Sequence, residues 1–447
     1  MSGDQRSDDA GGWGVLGAGA LGLTVALRLA QRGEPVTVLE REAAPGGLAA
    51  GFQLTGLPDT YLEKFYHHLF RSDRDATALI DELGLGSRLV WPCPTTACLV
   101  RGRSWPLDSA LRVLRFGPLS PPDRLRLGAV IAYLKLERRY QRLEGRTAAT
   151  WIRRTMGRRV YDLVWGPQLE SKFGSYAEQI ALSWFWARVH FRSRALGYVR
   201  GGFQHVYNAL VREIERHGGR VLLGHEVGSI EGGPDSTMQV TSRPATASAP
   251  ATHHRFGAVV STLPTRITVR LTPQLPPSFA EQFDCGQAYG AHNVILALDR
   301  PFMPPIYWLS INDPGYPFLA AVEHTNYMDP SDYGGRRLLY LGNYLPMDHA
   351  LFEQDDAETL EQFYPYLQRI NPDFEPSWVQ DQWVWKAPFA QPIVTTDFVH
   401  HIPPHETPLP GLYMANMFQV YPQDRGQNYS IQMANRLVAR LPRLVGS

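Results

Sequence analysis

Three glycines and one acid set the first chemical constraint. Gly17, Gly19 and Gly22 fall in the run Gly17-Ala18-Gly19-Ala20-Leu21-Gly22, and Glu40 follows 18 residues after the last of them. Gly17 permits a tight turn, Gly19 lets backbone approach a pyrophosphate, and Gly22 lets a helix pack closely on neighbouring strands. A helix opening at residues 19–22 presents unpaired N–H groups and its positive dipole end to phosphate oxygens. Glu40 is then placed to accept hydrogen bonds from ribose hydroxyls, with Ala20 and Leu21 also against the ligand.

Those residues work only if the flanking chain supplies a strand, a helix and a second strand in that order. Residues 13–16 (WGVL) are an apolar strand, an Ala/Leu-rich helix follows the glycines, and residues 35–39 form a second strand ending on Glu40. This is a βαβ unit for a dinucleotide.

After Glu40 the chain reads Arg41-Glu42-Ala43-Ala44-Pro45-Gly46-Gly47. This resembles the E-x-x-x-x-x-GG extension of the flavin amine oxidase, phytoene desaturase and protoporphyrinogen oxidase superfamily. The resemblance implies FAD as cofactor, with Gly46 and Gly47 crossing close to its diphosphate. It also brings Arg41 and Leu48 into the contact set, although Leu48 stands where many relatives carry arginine. Three later stretches extend it: a Gly201-Gly202 helix, the strand and turn at 258–264 (AVVSTLP), and the C-terminal run 411–428 with the helix after it. By the same resemblance Val227, Thr262, Asn416, Asn428 and Tyr429 are cofactor contacts, with Ala415-Asn416 in place of the usual Gly-Asp.

The fold class implied is α/β. A discontinuous Rossmann-like FAD-binding domain is expected from residues 13–65, 198–264 and 406–447. An α+β substrate domain is expected from 66–197, with a basic helical insert, and 265–405, with an antiparallel sheet; residues 1–12 read as a disordered tail.

Five side chains are candidates for chemistry on the substrate: His67, His68, Lys386, Arg425 and Tyr429. Tyr66-His67-His68-Leu69-Phe70 is similar to the histidine segment of UDP-galactopyranose mutases. Adjacent residues of a strand face opposite ways, so at most one of the two imidazoles should face a substrate. Lys386 follows Trp385, and the resemblance implies a lysine near the flavin; burial there would lower its pKa. Arg425 and Tyr429 sit on the loop where a substrate would meet the ring. The aromatic run Trp184-Phe185-Trp186 reads either as core or as a substrate cage.

The expected function is that of an FAD-dependent oxidoreductase taking a hydride equivalent from a C–H or C–N bond of an organic substrate. The alternative is a non-redox flavoenzyme of the UDP-galactopyranose mutase type, acting on a sugar nucleotide or glycosyl lipid. This fold hosts many reactions, so the site must decide.

Composition narrows the setting. With 447 residues, 44% hydrophobic and 19% charged, the chain suits two globular domains. The net charge of +1 hides an asymmetry: between Arg101 and Arg159 fifteen cations face four carboxylates, an excess of eleven. Such a field suits an anionic membrane surface, met through residues 101–159, or a phosphorylated or lipid-like substrate. No nucleic-acid motif accompanies it. The three cysteines form no disulfide framework or zinc site, no stretch reaches the length of a membrane span, and a cytoplasmic protein, peripheral at most to the inner face of the membrane, is expected. No metal is expected, and nothing in the sequence sets an oligomeric state.

Overall fold

The protein is seen in a computed structural model that describes residues 6–7, 11–245, 250–284 and 286–444. Of the tail read as disordered, residues 1–5 and 8–10 lie outside the described residues, whereas Arg6–Ser7 pairs in parallel with His253–His254. Part of the Pro/Ala/Ser/Thr-rich loop, residues 246–249, also lies outside them.

In chain order the elements that build the site begin with β1 (Trp13–Leu16), α1 (Ala20–Gln31), β2 (Val36–Glu40) and α2 (Arg74–Glu82). The hairpin β3 (Thr95–Val100) and β4 (Arg103–Pro106) leads to the helices α3 (Ala110–Leu114), α4 (Pro121–Leu136), α5 (Gly166–Phe173) and α6 (Leu182–His190). Next come α7 (Gln204–Arg216), β5 (Arg220–Leu223) and β6 (Ala258–Ser261). The strands β7 (Ala288–Leu298), β8 (Ile306–Ile311), β9 (Ala320–Glu323), β10 (Arg337–Leu345) and β11 (Val379–Pro392) follow, and β12 (Leu412–Met414) and α8 (Gln427–Val438) close the chain.

A five-stranded parallel sheet runs in the order β5-β2-β1-β6-β12. Every residue of β1, β2 and β6 is buried, because such a sheet is covered on both faces. On one face Val15, Val38 and Val260 meet leucines of α1, α7 and α8. On the other, Leu16, Leu39, Val259 and Leu412 meet Ile230, Met238, Val240 and Phe256 of a small antiparallel sheet.

The second large sheet has the order β11-β7-β10-β9-β8-β3-β4 and is antiparallel except where β8 runs parallel to β3. The central strand β7 divides two cores by its alternation. Ile295 and Ala297 face the cofactor side, while Val294, Leu296 and Leu298 meet Leu360, Phe363 and Leu367 of the helix Asp356–Ile370. The β3–β4 turn falls where the sequence places it: Arg101 and Gly102 both have positive φ, and Asp313 accepts a hydrogen bond from each backbone N–H at 2.6 Å.

Between the hairpin and α7 lies the helical insert, with its own core around Phe116, Leu127, Leu134, Ile152, Trp184 and Phe185. Its α4 starts on Ser120 and Pro121, a capping hydroxyl followed by a proline whose missing N–H costs nothing at that position. The helix α4 ends at Leu136, because Glu137 is extended and its carboxylate accepts from Arg139 N at 2.8 Å. Among the described residues no helix is long and apolar enough to cross a membrane, and no group of three or more His, Cys, Asp or Glu gathers as metal ligands.

Candidate active site

The glycine turn explains itself by contact distances. Gly17 has φ 104°, and a Cβ there would meet Thr262 Oγ1 at 2.7 Å; a Cβ on Gly22 would stand 2.0 Å from Gly17 O. Thr262 donates to Leu16 O at 2.7 Å, so it braces the turn from beneath. Gly19 is different, since a Cβ there meets nothing of the protein within 4 Å. The second glycine pair docks on this turn: Gly46 N donates to Ala18 O at 2.8 Å, and a Cβ on Gly47 would lie 3.3 Å from Gly19 Cα. Side chains at Gly46 or Gly47 would fill the cradle between the two loops.

The Glu40 carboxylate is nearly enclosed and accepts from Ala18 N at 2.6 Å and Glu42 N at 3.0 Å. Each of its oxygens keeps a second lone pair for a ribose hydroxyl. At the start of α8 Tyr207 OH donates to Gln427 Oε1 at 2.6 Å, while Gln427 Nε2 is a buried donor without a partner among the described residues. A cradle of backbone, an oriented acid and an unspent donor at a helix N-terminus fit FAD.

The remaining expected cofactor contacts divide. Ala20 and Leu21 open α1, Leu48 is half-buried on the turn Gly47–Ala49, and Val227 packs against the Leu16 and Leu39 cluster. Arg41 is exposed and pairs with Glu42 at 3.1 Å. Asn416 has a structural occupation instead: its Oδ1 accepts from Phe418 N, and its Nδ2 donates to Leu263 O and Thr265 Oγ1. Asn428 Oδ1 likewise accepts from Ala76 N in the first turn of α2. These bonds leave Asn416 no free donor for a ribityl hydroxyl.

The loop before α8 brings together side chains from five distant segments. Asp424 is held by Lys172 of α5 at 2.9 Å, by Arg188 of α6 at 3.4 Å and by Arg425 at 3.8 Å. Arg425 donates to Tyr344 OH at 2.6 Å and to Gln391 Oε1, and its guanidinium lies 4.9 Å from the centroid of the Tyr344 ring. Arg192, just beyond α6, is solvent-accessible yet surrounded by protein, the position of a side chain lining a recess. Burial, then Arg188, pushes its guanidinium down to about 10.

Two charges in this cluster are tuned in opposite senses. Burial alone would raise Asp424, but Lys172, Arg425 and Arg188 together hold it well below the usual carboxylate range. For Lys172, burial pushes down against the pull of Asp424, and Arg188 and Arg425 add to the push, leaving it at about 7. Two arginines and a lysine thus share one carboxylate.

His67 and His68 both lie at this cluster. Residues 66–68 are irregular, so the opposite-face rule for strands does not apply. Burial lowers His67 to about 4, with Arg425 adding to it, and His68 to about 3, with Arg192 next in effect. His67 Nδ1 is 2.5 Å from Phe65 O, which makes Nδ1 the protonated nitrogen and leaves Nε2 an acceptor. Tyr429 stands at the rim with its ring 6.4 Å from that of Phe191, its hydroxyl raised by burial and then by Asp73 and Asp424.

Lys386 is not brought here. It pairs with His292 across β11 and β7, on the opposite face from Trp385, and donates to Gln354 O. Trp385 is the residue that faces inward, against Phe52 and beneath the Lys64 ammonium. The buried lysine of the site is Lys172 of α5, beside Phe173. Trp184, Phe185 and Trp186 are core, at most 3% exposed, although Lys172 Nζ sits 5.4 Å from the Trp184 centroid.

Comparison with known proteins agrees with this geometry. The family described as flavin containing amine oxidoreductase matches residues 22–422. A putative protoporphyrinogen oxidase from Exiguobacterium sp. 255-15 is 17% identical with a TM-score of 0.74, over 97% of this chain and 99% of that one. A reduced UDP-galactopyranose mutase is 16% identical (TM-score 0.72, 97% and 96% covered). A wild-type putrescine oxidase bound to putrescine is 15% identical (TM-score 0.69, 98% and 99% covered). At such identities the likeness is one of fold. No curated protein matches in sequence. The chain belongs to the flavin containing amine oxidoreductase family, and its cofactor is FAD.

Proposed function

We propose that this protein is an FAD-dependent oxidoreductase that takes a hydride equivalent from a C–H or C–N bond of an organic substrate bearing a carboxylate or phosphate. The observation that carries the anionic part is the gathering of Lys172, Arg188 and Arg425 around the single carboxylate of Asp424, with Arg192 close enough to Arg188 to feel its charge. An ammonium-bearing substrate would be repelled from such a recess, and an anion drawn in. The division of the chain at 65/66, 197/198, 264/265 and 405/406 is kept with this reading.

The bound flavin supplies the hydride acceptor. The chain's own groups bind, orient and move protons. Arg425, fixed by Tyr344 and Gln391, offers its planar donors to the anion. Lys172, poised near neutrality, takes up a proton where the substrate releases one. His67 presents the unprotonated Nε2, and Tyr429 at the rim bounds the entry.

The test is anaerobic mixing with panels of carboxylate- and phosphate-bearing compounds, followed by flavin bleaching. A hit should reduce the flavin stoichiometrically, at a rate that rises with pH through about 7 as Lys172 loses its proton. That rise should vanish in Lys172→Met. Bleaching by amines alone, with no anionic group required, sinks the reading.

A second reading, the mutase type, is favoured by the same cation excess, which suits a diphosphate. Turnover that needs pre-reduced flavin and consumes no oxidant would select it over the first.

A further inference from the structure

The helix α4 is apolar on two opposite sides. Leu127 and Leu134 are buried in the helical core, with Val130 and Ile131 packed against it. On the other side Leu125, Gly128, Ala129, Ala132 and Leu136 recur at the three- and four-residue spacing of one helix face, and all are exposed. Leu125 is 64% and Leu136 78% accessible, with Tyr133 beside them at 45%. The neighbouring α3 adds Leu111 at 56% and Leu114 at 46%. Among the described residues seven large hydrophobic side chains are exposed, and five of them are in α3 and α4. Single exposed leucines are ordinary, whereas a stripe of them marks a contact surface.

Cations surround this stripe. Arg126 flanks it, Arg138 and Arg139 follow its C-terminal end, Arg115 follows α3, and all four are exposed. The carboxylates nearby are already engaged: Asp108 with Arg112, Asp123 with Ser120, and Glu137 with Arg139 N and Arg142. Arg153 and Arg158 pair with Glu178 and Asp162 just outside the stretch, so the excess of eleven positive charges between Arg101 and Arg159 falls to nine. A second copy of the chain would bring the same excess against itself, while an anionic bilayer is complementary to it.

We infer that the α3–α4 face docks on the surface of an anionic lipid bilayer, its leucines at the boundary of headgroup and acyl chain. The arginine stems lie along the apolar surface and their guanidinium groups reach lipid phosphates. This surface is fastened to the catalytic side of the molecule: Lys135 donates to His190 O and Arg192 O, and Trp186 Nε1 donates to Glu137 O at 2.9 Å. The docking helix is thus tied to the end of α6 that carries Arg188.

The experiment is flotation of the full-length, FAD-loaded protein with phosphatidylcholine vesicles, with and without phosphatidylglycerol. The protein should float with the anionic vesicles only and release as salt rises. Leu125→Glu/Leu136→Glu should lower the partition coefficient by about tenfold or more, with flavin content and melting midpoint unchanged. Arg138→Glu/Arg139→Glu should abolish the preference for phosphatidylglycerol, and serves alone if the leucine pair does not fold. Failure to float with anionic vesicles overturns the inference, as does equal flotation of both variants. A dimer that Leu125→Glu/Leu136→Glu makes monomeric, without flotation of either, assigns the face to a second copy and overturns it too.

Discussion

The glycine turn and the cation cluster meet within one molecule but are built by opposite means. At the turn, backbone and the lack of side chains make the cradle, and the residues are neighbours in sequence: Gly17, Gly19 and Gly22, with Gly46 and Gly47 laid across them. In the cluster, charged side chains from α5, α6 and the loop before α8 converge on Asp424, joined by Gln391 of β11, while Tyr344 of β10 holds Arg425. A steric cradle fails abruptly when an atom is added. An electrostatic cluster fails by degrees, because each charge has more than one partner.

The largest effect separates folding from binding at the turn itself. Gly22→Val should yield no soluble flavoprotein, since its Cβ would stand 2.0 Å from Gly17 O. Gly19→Val has open space and an ordinary φ of −74°, so the chain should fold, with a melting midpoint near that of flavin-free wild type, yet lose most of its bound FAD. Flavin-to-protein absorbance ratios and thermal melts measure both, and normal flavin content in Gly19→Val would break the comparison.

In the cluster, Asp424→Asn leaves Arg188, Arg425 and Lys172 without their carboxylate and should cost about 3–5 kcal/mol in denaturant unfolding. Lys172→Met should cost less, under about 2 kcal/mol, because Asp424 keeps Arg188 and Arg425. Equal losses would show that the charges do not share their partner as described.

Between the two regions lies Glu63, which accepts from Tyr198 OH and Phe203 N at 2.7 Å each, while Tyr340 OH of β10 donates to its carbonyl. Burial raises its carboxyl from 4.5 to about 7. The folded state therefore holds this proton where the unfolded chain releases it. Its contribution is full below pH 4.5 and is lost as pH rises toward 7, on the order of 3 kcal/mol in all. Glu63→Gln should flatten that part of the stability profile. The smallest effect belongs to Lys386, whose side chain faces away from the cluster: Lys386→Met should change the rate of flavin reduction less than about twofold.

How much of this was legible in the sequence follows from the same contrast. The strand, turn and acid from Trp13 to Glu40 are local, so spacing alone reads them, and the dinucleotide sheet formed as expected. The sequence names His67, His68, Arg425 and Tyr429 as candidates for chemistry on the substrate, with at most one of the two histidines facing it. Lys386 was misplaced because a single strand does not announce which face meets the core, and β11 carries register shifts against β7. Asn416 and Asn428 stand where a cofactor contact is expected, but their side chains are spent on a cap and on the start of α2. Lys172 and Arg188 were missed because nothing local distinguishes a cation that meets Asp424 across some 250 residues of chain. A lone lysine amid Trp165, Phe173 and Trp184 was the signal available.

The order of strands in the parallel sheet has a consequence for synthesis. Its edge strand β12 and the helix α8 leave the ribosome long after β1 and the glycine turn. Until β12 arrives, the edge of β6 it pairs with stays open and α1 lacks the helix that covers it. Such long-range closure is slow and leaves strand edges exposed in the nascent chain. Flavin loading should therefore wait for β12 and α8, and ribosome-bound chains ending before Leu412 should retain no FAD even with their glycine turn fully emerged.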